Sequence, residues 1–225
     1  VAAMLPPDWE LKLADTNIAP LADADIAWAD WVFLSGMIVH KESAREIARR
    51  CAALGRPVIA GGPLFTTGHW DFPEIHHFVL GEAENVIDEL VADMRRGEVK
   101  ATYRAPDFPD VTRTPVPRWD LADLRHYVTM PVQFSRGCPF DCEFCDIVVM
   151  YGRVPRTKTN PQILAELQAL YDRGYRGHVD FVDDNFIGNK KRVRLLMPEL
   201  KAWLEKHDYP FEFSTEASIN LADDD

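Results

Sequence analysis

The feature that most constrains this chain is a repeated rhythm: a short apolar run, a glycine-bearing turn, then a segment with one apolar face. Residues 31–34 lead into Ser35-Gly36 and then into 43–54, where Ala44, Ile47, Ala48, Cys51 and Leu54 recur at helical spacing before Gly55. Residues 57–60 lead into Gly61-Gly62-Pro63, and 78–80 into Gly81-Glu82. A second helix is predicted over 83–96, with Val86, Ile87, Leu90, Val91 and Met94 inward and Gly97 as its stop. Residues 10–14 read as one more short strand. This alternation predicts an α/β fold with an open parallel sheet, and it puts the glycine turns on the carboxyl edge, where such sheets bind ligands.

The rhythm breaks at 101–120, where Pro106, Pro109, Pro115 and Pro117 crowd together. That predicts an extended strap, a first domain over 1–100, a linker over 101–127 and a second domain over 128–225. The alternation then resumes. A strand over 131–135 runs into a cysteine-rich loop. Asn160-Pro161 reads as a helix cap followed by proline at the first helical position. The helix runs to Arg173 with Ile163, Leu164, Leu167, Leu170 and Tyr171 inward, and Gly174 closes it. A strand over 178–182 ends in Asp183-Asp184-Asn185. A helix over 190–206 carries Pro198, which is expected to kink it. A strand over 211–215 precedes Glu216. Three strands with their helices are less than half of a β/α barrel, which needs roughly 250 residues when complete. Val1 to Pro7 read as the last turn of a helix stopped by two prolines, and Asn220 onward as the first turn of another. Both ends therefore read as cuts in a longer protein, with an incomplete first domain and a partial barrel.

Charge narrows the partners. Twenty-five Lys and Arg against 36 Asp and Glu give a net charge of −11, which disfavours nucleic acid. No apolar run is long enough for a transmembrane segment. Four cysteines cannot build a disulfide scaffold, and three of them, Cys138, Cys142 and Cys145, fall in one C-x3-C-x2-C loop. Three thiolates can hold three irons of a cubic cluster and leave the fourth open to a chelating ligand. A zinc site is the other chemistry such cysteines serve, but closed zinc sites take four ligands. Cys51 sits on a helix face as plain core, and His126 lies across a strand. Gly137 and Pro139 shape the loop, and Phe140 and Phe144 are expected to shield it from water.

This loop, with an aromatic before its last cysteine and a barrel strand before its first, resembles that of the radical S-adenosylmethionine superfamily. The resemblance implies a [4Fe-4S] cluster on Cys138, Cys142 and Cys145, with S-adenosylmethionine on the open iron. It implies that Phe144 meets the adenine and that Asp183, Asp184 and Asn185 accept from the methionyl ammonium. That segment departs from the family's usual Gly-Gly-Glu form, and acidic residues there also suit a helix cap. Ser214 and Glu216 match positions that meet the ribose or carboxylate. Ahead of such a barrel, Ser35-Gly36, Gly61-Gly62-Pro63 and Gly81-Glu82 resemble the turns of a cobalamin-binding domain, where serine bonds the nucleotide tail and glycines let backbone approach a flat ring. The histidine motif that ligates cobalt in some of these domains is absent from the chain. His69, His76 and His77 read as ordinary loop and strand residues.

Further stretches, among them Gln133 to Cys142 and Asp183 to Asn189, are similar to the cobalamin-binding subgroup related to the hopanoid 2-methylases. That likeness implies methyl transfer to an unactivated carbon of a small-molecule or lipid substrate, with an electron donor such as flavodoxin or ferredoxin. The acidic balance and the lack of a transmembrane segment point to a cytoplasmic protein, which a lipid substrate would draw to a membrane surface. Rearrangement or oxidation with the same cofactors, and a non-catalytic cobalamin or cluster module, are the alternatives; an electron carrier needs no open iron and takes four cysteines.

Overall fold

A computed structural model describes residues 1–223. Two compact units emerge, one from Ala3 to Pro109 and the other from Asp110 on.

In the first unit, β1 (Val32–Ser35), β2 (Val58–Gly61), β3 (His77–Val79) and β4 (Thr102–Tyr103) form one parallel sheet in that order. Successive side chains of β2 enter different cores. Val58 and Ala60 join Ile47, Ala48, Cys51, Leu64 and Phe65, whereas Ile59 joins Val86, Ile87, Leu90 and Tyr103. Burial on both faces is why this strand reads as an unbroken apolar run. Helix α1 (Asp23–Trp28) supplies Ile26 to the first core, and α2 (Lys41–Ala53) buries Ala44, Ile47, Ala48 and Cys51. After α2, the N–H of Gly55 bonds Ala52 and that of Arg56 bonds Cys51, which closes the helix through a left-handed glycine. Leu54, expected inward, is exposed, because it is the cap residue and the chain turns away there.

Two further sequence expectations need correction in this unit, and one helix is added. Residues 10–14 form no strand: Leu13 is exposed and, among the described residues, nothing pairs with the outer edge of β1. Short α3 (Pro63–Gly68) follows Gly62, with Pro63 at its first turn. The expected strap begins as a strand, since Thr102 and Tyr103 pair with Phe78 and Val79. Tyr103 is buried, and its hydroxyl donates to the buried Asp93 of α4 (Ile87–Arg96) at 2.7 Å.

In the second unit, β5 (Thr129–Val132), β8 (His178–Phe181) and β9 (Glu212–Thr215) form a parallel sheet in the order β5-β8-β9. Between β5 and β8, the two-residue strands β6 (Ser135–Arg136) and β7 (Arg156–Thr157) pair antiparallel, with α5 (Ile147–Tyr151) inside the excursion they close. Met130, Val132, Val179 and Phe181 pack with Ile163, Leu167 and Leu170 of α6 (Asn160–Asp172) and Leu196, Leu200 and Trp203 of α7 (Lys190–Lys206). The alternate residues His178, Asp180 and Ser214 lie on the sheet's other face.

The cap of α6 is Thr159, one residue before the expected Asn160. Thr159 and Gln162 exchange side-chain and backbone bonds in a capping box, which two polar side chains at this spacing favour. Asn160 instead reaches α7, donating to the Leu195 carbonyl at 3.1 Å and to Glu199 at 2.7 Å. These contacts lie beside Pro198, which has no N–H, and α7 runs through that proline unbroken.

Candidate functional site

The cysteine loop is pinned at its base. Beyond the β6–β7 pair, the Lys158 N–H donates to the Phe134 carbonyl at 2.8 Å, and that of Cys138 to Gly152 at 3.2 Å. Gly137 has φ of +96°, and a Cβ there would lie 2.9 Å from the Gly152 oxygen and 3.0 Å from that of Tyr151. Only glycine fits such a place. Under the loop, Lys158 and Glu166 form a buried ion pair at 2.5 Å. Burial pushes the Glu166 carboxyl up, against the attraction of Lys158. Glu166 falls on the apolar stripe of α6 three residues after Ile163, a signal the sequence did carry.

The second pin comes from the carboxyl end of β8. Asp183 is 3% exposed. Its carboxylate accepts from the Phe134 N–H at 3.0 Å and from both the N–H and the hydroxyl of Ser135, the hydroxyl at 2.5 Å. Burial pushes this carboxyl up to about 6; the Ser135 and Phe134 donors pull it down, and neighbouring Asp184 pushes it up. Asp184 accepts from the Gly137 N–H at 2.7 Å. Asn185, also 3% exposed, donates to the Cys138 sulfur at 3.9 Å and to the Ser218 hydroxyl at 3.0 Å. Its carbonyl oxygen accepts from the Ser218 N–H at 3.3 Å. Asn185 therefore joins the loops that follow β5, β8 and β9. Ser218 was not singled out in the sequence, although it follows β9 much as Asn185 follows β8.

Asp183, Asp184 and Asn185 were expected to face a bound ammonium or to cap a helix. In this structure the Asp183 oxygens are taken up inside the chain, by Phe134 and Ser135. Asn185 stands at the N-cap position of the 3-10 helix Phe186–Asn189 without a side-chain cap bond, and α7 is capped by Asn189. Ser214 is also engaged internally: its hydroxyl donates to Asp180 at 2.5 Å and meets His178 Nε2 at 2.7 Å. With its one proton given to Asp180, it accepts from the imidazole, which fixes the Nε2–H form of His178. The Glu216 side chain is exposed, and its carbonyl accepts from the Phe186 N–H.

Cys138 is half-buried, Cys142 and Cys145 are exposed, and all three are free thiols. The Cys145 N–H bonds the Cys142 carbonyl at 3.0 Å, placing these two on one turn. Among the described residues, no three His, Cys, Asp or Glu side chains gather as the ligands of one metal would. The expected meeting of the three sulfurs is thus absent from the chain's own packing. Thiols attract one another weakly, and metal binding is what couples such ligands to local folding. In number and kind the donors fit a cluster with one open iron: three cysteines in one loop, with no fourth in the second unit. Phe140 and Phe144 do not shield the loop as expected. Phe144 is 93% exposed, its ring lying open beside Cys145.

In the first unit, Ser35, Gly36, Gly61, Gly62, Pro63, Gly81 and Glu82 all fall at the carboxyl edge. Ser35 pairs with Gly61, and Gly61 with Val79. Gly62 has φ of +85°, and a Cβ there would lie 2.5 Å from Ser35 Oγ, so the serine itself requires this glycine. Gly81 also has φ of +85°, with its N–H bonded to Thr66 at 2.9 Å and open space where a Cβ would point. Met37, Ile38 and Val39, just past Gly36, are exposed apolar residues on the same edge. His69 sits in a 3-10 turn, 5.4 Å between ring centroids from Phe78, and His77 lies in β3. Cys51 is buried core, as read from the sequence.

Two solved structures share the fold of this chain. It aligns over 82% of its length with the radical S-adenosylmethionine methyltransferase TsrM from Kitasatospora setae, solved with cobalamin and a [4Fe-4S] cluster bound. There the TM-score is 0.65 at 17% identity, and 44% of that chain is covered. It aligns over 85% with the cobalamin-dependent S-adenosylmethionine radical enzyme OxsB, with a TM-score of 0.67 at 18% identity over 32% of that chain. The fold is that of the cobalamin-dependent radical S-adenosylmethionine enzymes.

Sequence refines this. The chain is 49% identical, over its whole length, to the uncharacterized methyltransferase sll1242 of Synechocystis sp.. It is 38% identical over 99% of its length to the hopanoid C-2 methylase of Rhodopseudomonas palustris. Over this stretch it is similar to the subgroup related to that methylase. It spans 42% and 43% of the lengths of these two relatives. No known protein-family profile matches it.

Proposed function

We propose that this chain carries the cobalamin-binding region and the cluster-binding first part of the barrel of a radical S-adenosylmethionine C-methyltransferase. The observation that carries this reading is the cysteine loop: three free thiols, no fourth, on an excursion pinned to the carboxyl ends of a parallel sheet. Cys138, Cys142 and Cys145 would hold the cluster, each through one iron. When bound, the cluster with S-adenosylmethionine supplies a hydrogen-abstracting radical, and cobalamin supplies the methyl group.

The chain's own part is to bind and orient. Phe144 offers an open ring for an adenine to stack on. Asp184 and the exposed Glu216 are the acceptors assigned to the rest of S-adenosylmethionine, and Asp183 and Ser214 are withdrawn from that set. On the other sheet, Ser35, Gly36, Gly61, Gly62, Pro63, Gly81 and Glu82 would line the cobalamin edge. The apolar run Met37-Ile38-Val39 suits a large flat ligand better than a polar loop would. The substrate is a small molecule or a lipid, and the electron comes from a donor such as flavodoxin or ferredoxin. No described helix is long and apolar enough to cross a membrane. The reduced thiols suit the cytoplasm, and a lipid substrate would bring the protein to a membrane surface.

The test uses the full-length protein loaded with iron, sulfide and cobalamin. Adding S-adenosylmethionine should alter the cluster's electron paramagnetic resonance spectrum, and a reductant should release 5′-deoxyadenosine. Changing any one of Cys138, Cys142 or Cys145 to Ala should abolish that release. A substrate that gains one methyl group supports the reading. A rearranged or oxidised product with both cofactors bound favours the other chemistry of this class, and no cluster uptake overturns the proposal.

A further inference from the structure

Asp183, Asp184 and Asn185 are consecutive, and their partners follow one another along the loop. Asp183 takes the N–H groups of Phe134 and Ser135, Asp184 takes that of Gly137, and Asn185 reaches the sulfur of Cys138. Three successive residues after β8 thus hold four of the five residues that lead into and include the first cysteine. Asp183 and Asn185 are both buried. Ligand-facing acceptors would keep open oxygens, whereas Asp183 takes three donors from the chain. Gly188 presses the next turn against the same loop, since a Cβ there would lie 3.0 Å from Pro155 and 3.3 Å from Pro139.

We infer that Asp183-Asp184-Asn185 is a latch that positions the cysteine loop, and that Asn185 also tunes the metal by donating to the Cys138 sulfur. The first half stands on the chain's own contacts. The second half rests on the proposed cluster. A donor to a ligating sulfur draws charge from it and makes the cluster easier to reduce. Asp183 and Asn185 are thus positioning residues rather than ligands of S-adenosylmethionine.

The two halves have separate tests. In metal-free protein, amide hydrogen exchange is compared between wild type, Asp183→Asn and Asp184→Asn. Asp183→Asn should speed exchange at Phe134 and Ser135 roughly tenfold or more, given the strength of bonds to a charged acceptor. Asp184→Asn should speed exchange at Gly137 and leave Phe134 and Ser135 alone. Should Asp183→Asn not fold, Asp184→Asn still decides the point, and unchanged exchange at Gly137 overturns the latch. In cluster-loaded full-length protein, Asn185→Ala should retain the cluster and the spectral response to S-adenosylmethionine while its midpoint potential moves more negative. An unchanged potential, or a lost response to S-adenosylmethionine at unchanged potential, overturns the assignment of Asn185. Failure of the wild-type protein to take up a cluster would count against the proposed function and the tuning by Asn185, while the exchange experiment would still decide the latch.

Discussion

At the scale of single residues, Asp183 makes the sharpest statement, because its ionisation is tied to folding. Burial lifts its carboxyl from 3.8 to about 6. Between those values the native state keeps a proton that the unfolded chain has released. Its contribution to stability is therefore greatest below about 3.8 and falls as pH rises to about 6, above which it is level. The full change is on the order of 3 kcal/mol. Asn at this position is neutral at every pH. Urea unfolding of wild type and Asp183→Asn from pH 4 to pH 7 should show the wild type losing stability relative to the variant across that window. A constant difference would mean that Asp183 titrates in the ordinary carboxylate range. The nearby Lys158–Glu166 pair teaches the opposite lesson about charge: burial opposes it, so its intact partner is what makes it tolerable.

At the scale of elements, the glycines separate backbone demand from crowding. Gly174 has φ of +80° with nothing within 4 Å of a Cβ, whereas Gly137 has φ of +96° and two carbonyl oxygens within 3.0 Å. Gly174→Ala should cost about 1–2 kcal/mol, the penalty of a left-handed residue. Gly137→Ala should cost clearly more and should speed alkylation of Cys138, because the loop must open to admit the methyl. Equal losses in thermal unfolding would place both effects in the backbone alone. Gly62→Val is a poor probe of cobalamin binding for the same reason: it would collide with Ser35 before any ligand arrives.

Most strands and the long helices were legible in the sequence because periodicity and glycine stops record burial directly, but the strand expected over 131–135 is β5, ending at Val132, followed by the separate β6. β4 was not, since two residues carry no period and Tyr103 is held by a partner in α4. The run at 10–14 had the right residues but pairs with no strand. The cysteine loop was legible from spacing, and its supports were not. The bonds of Asp183 depend on register between β5 and β8, and those of Ser214 on register between β8 and β9, which no local pattern encodes.

At the scale of the whole molecule, the question is what this stretch can do by itself. Its second sheet holds β5, β8 and β9, and among the described residues nothing pairs with the outer side of β9. Beside that edge lies an apolar groove lined by Phe181, Phe186, Met197, Leu200, Leu204 and Phe213. An open strand edge next to apolar surface is a template for association. The 225-residue chain expressed alone should therefore self-associate, and in sedimentation velocity the larger species should grow with concentration. Met197 is 45% exposed in this groove, so Met197→Lys should shift the distribution toward monomer at little cost to the fold. If the proposed function holds, the isolated chain should release 5′-deoxyadenosine far more slowly than the full-length protein. A monomer at high concentration, or full turnover by the isolated chain, would show that β9 and its groove need no cover.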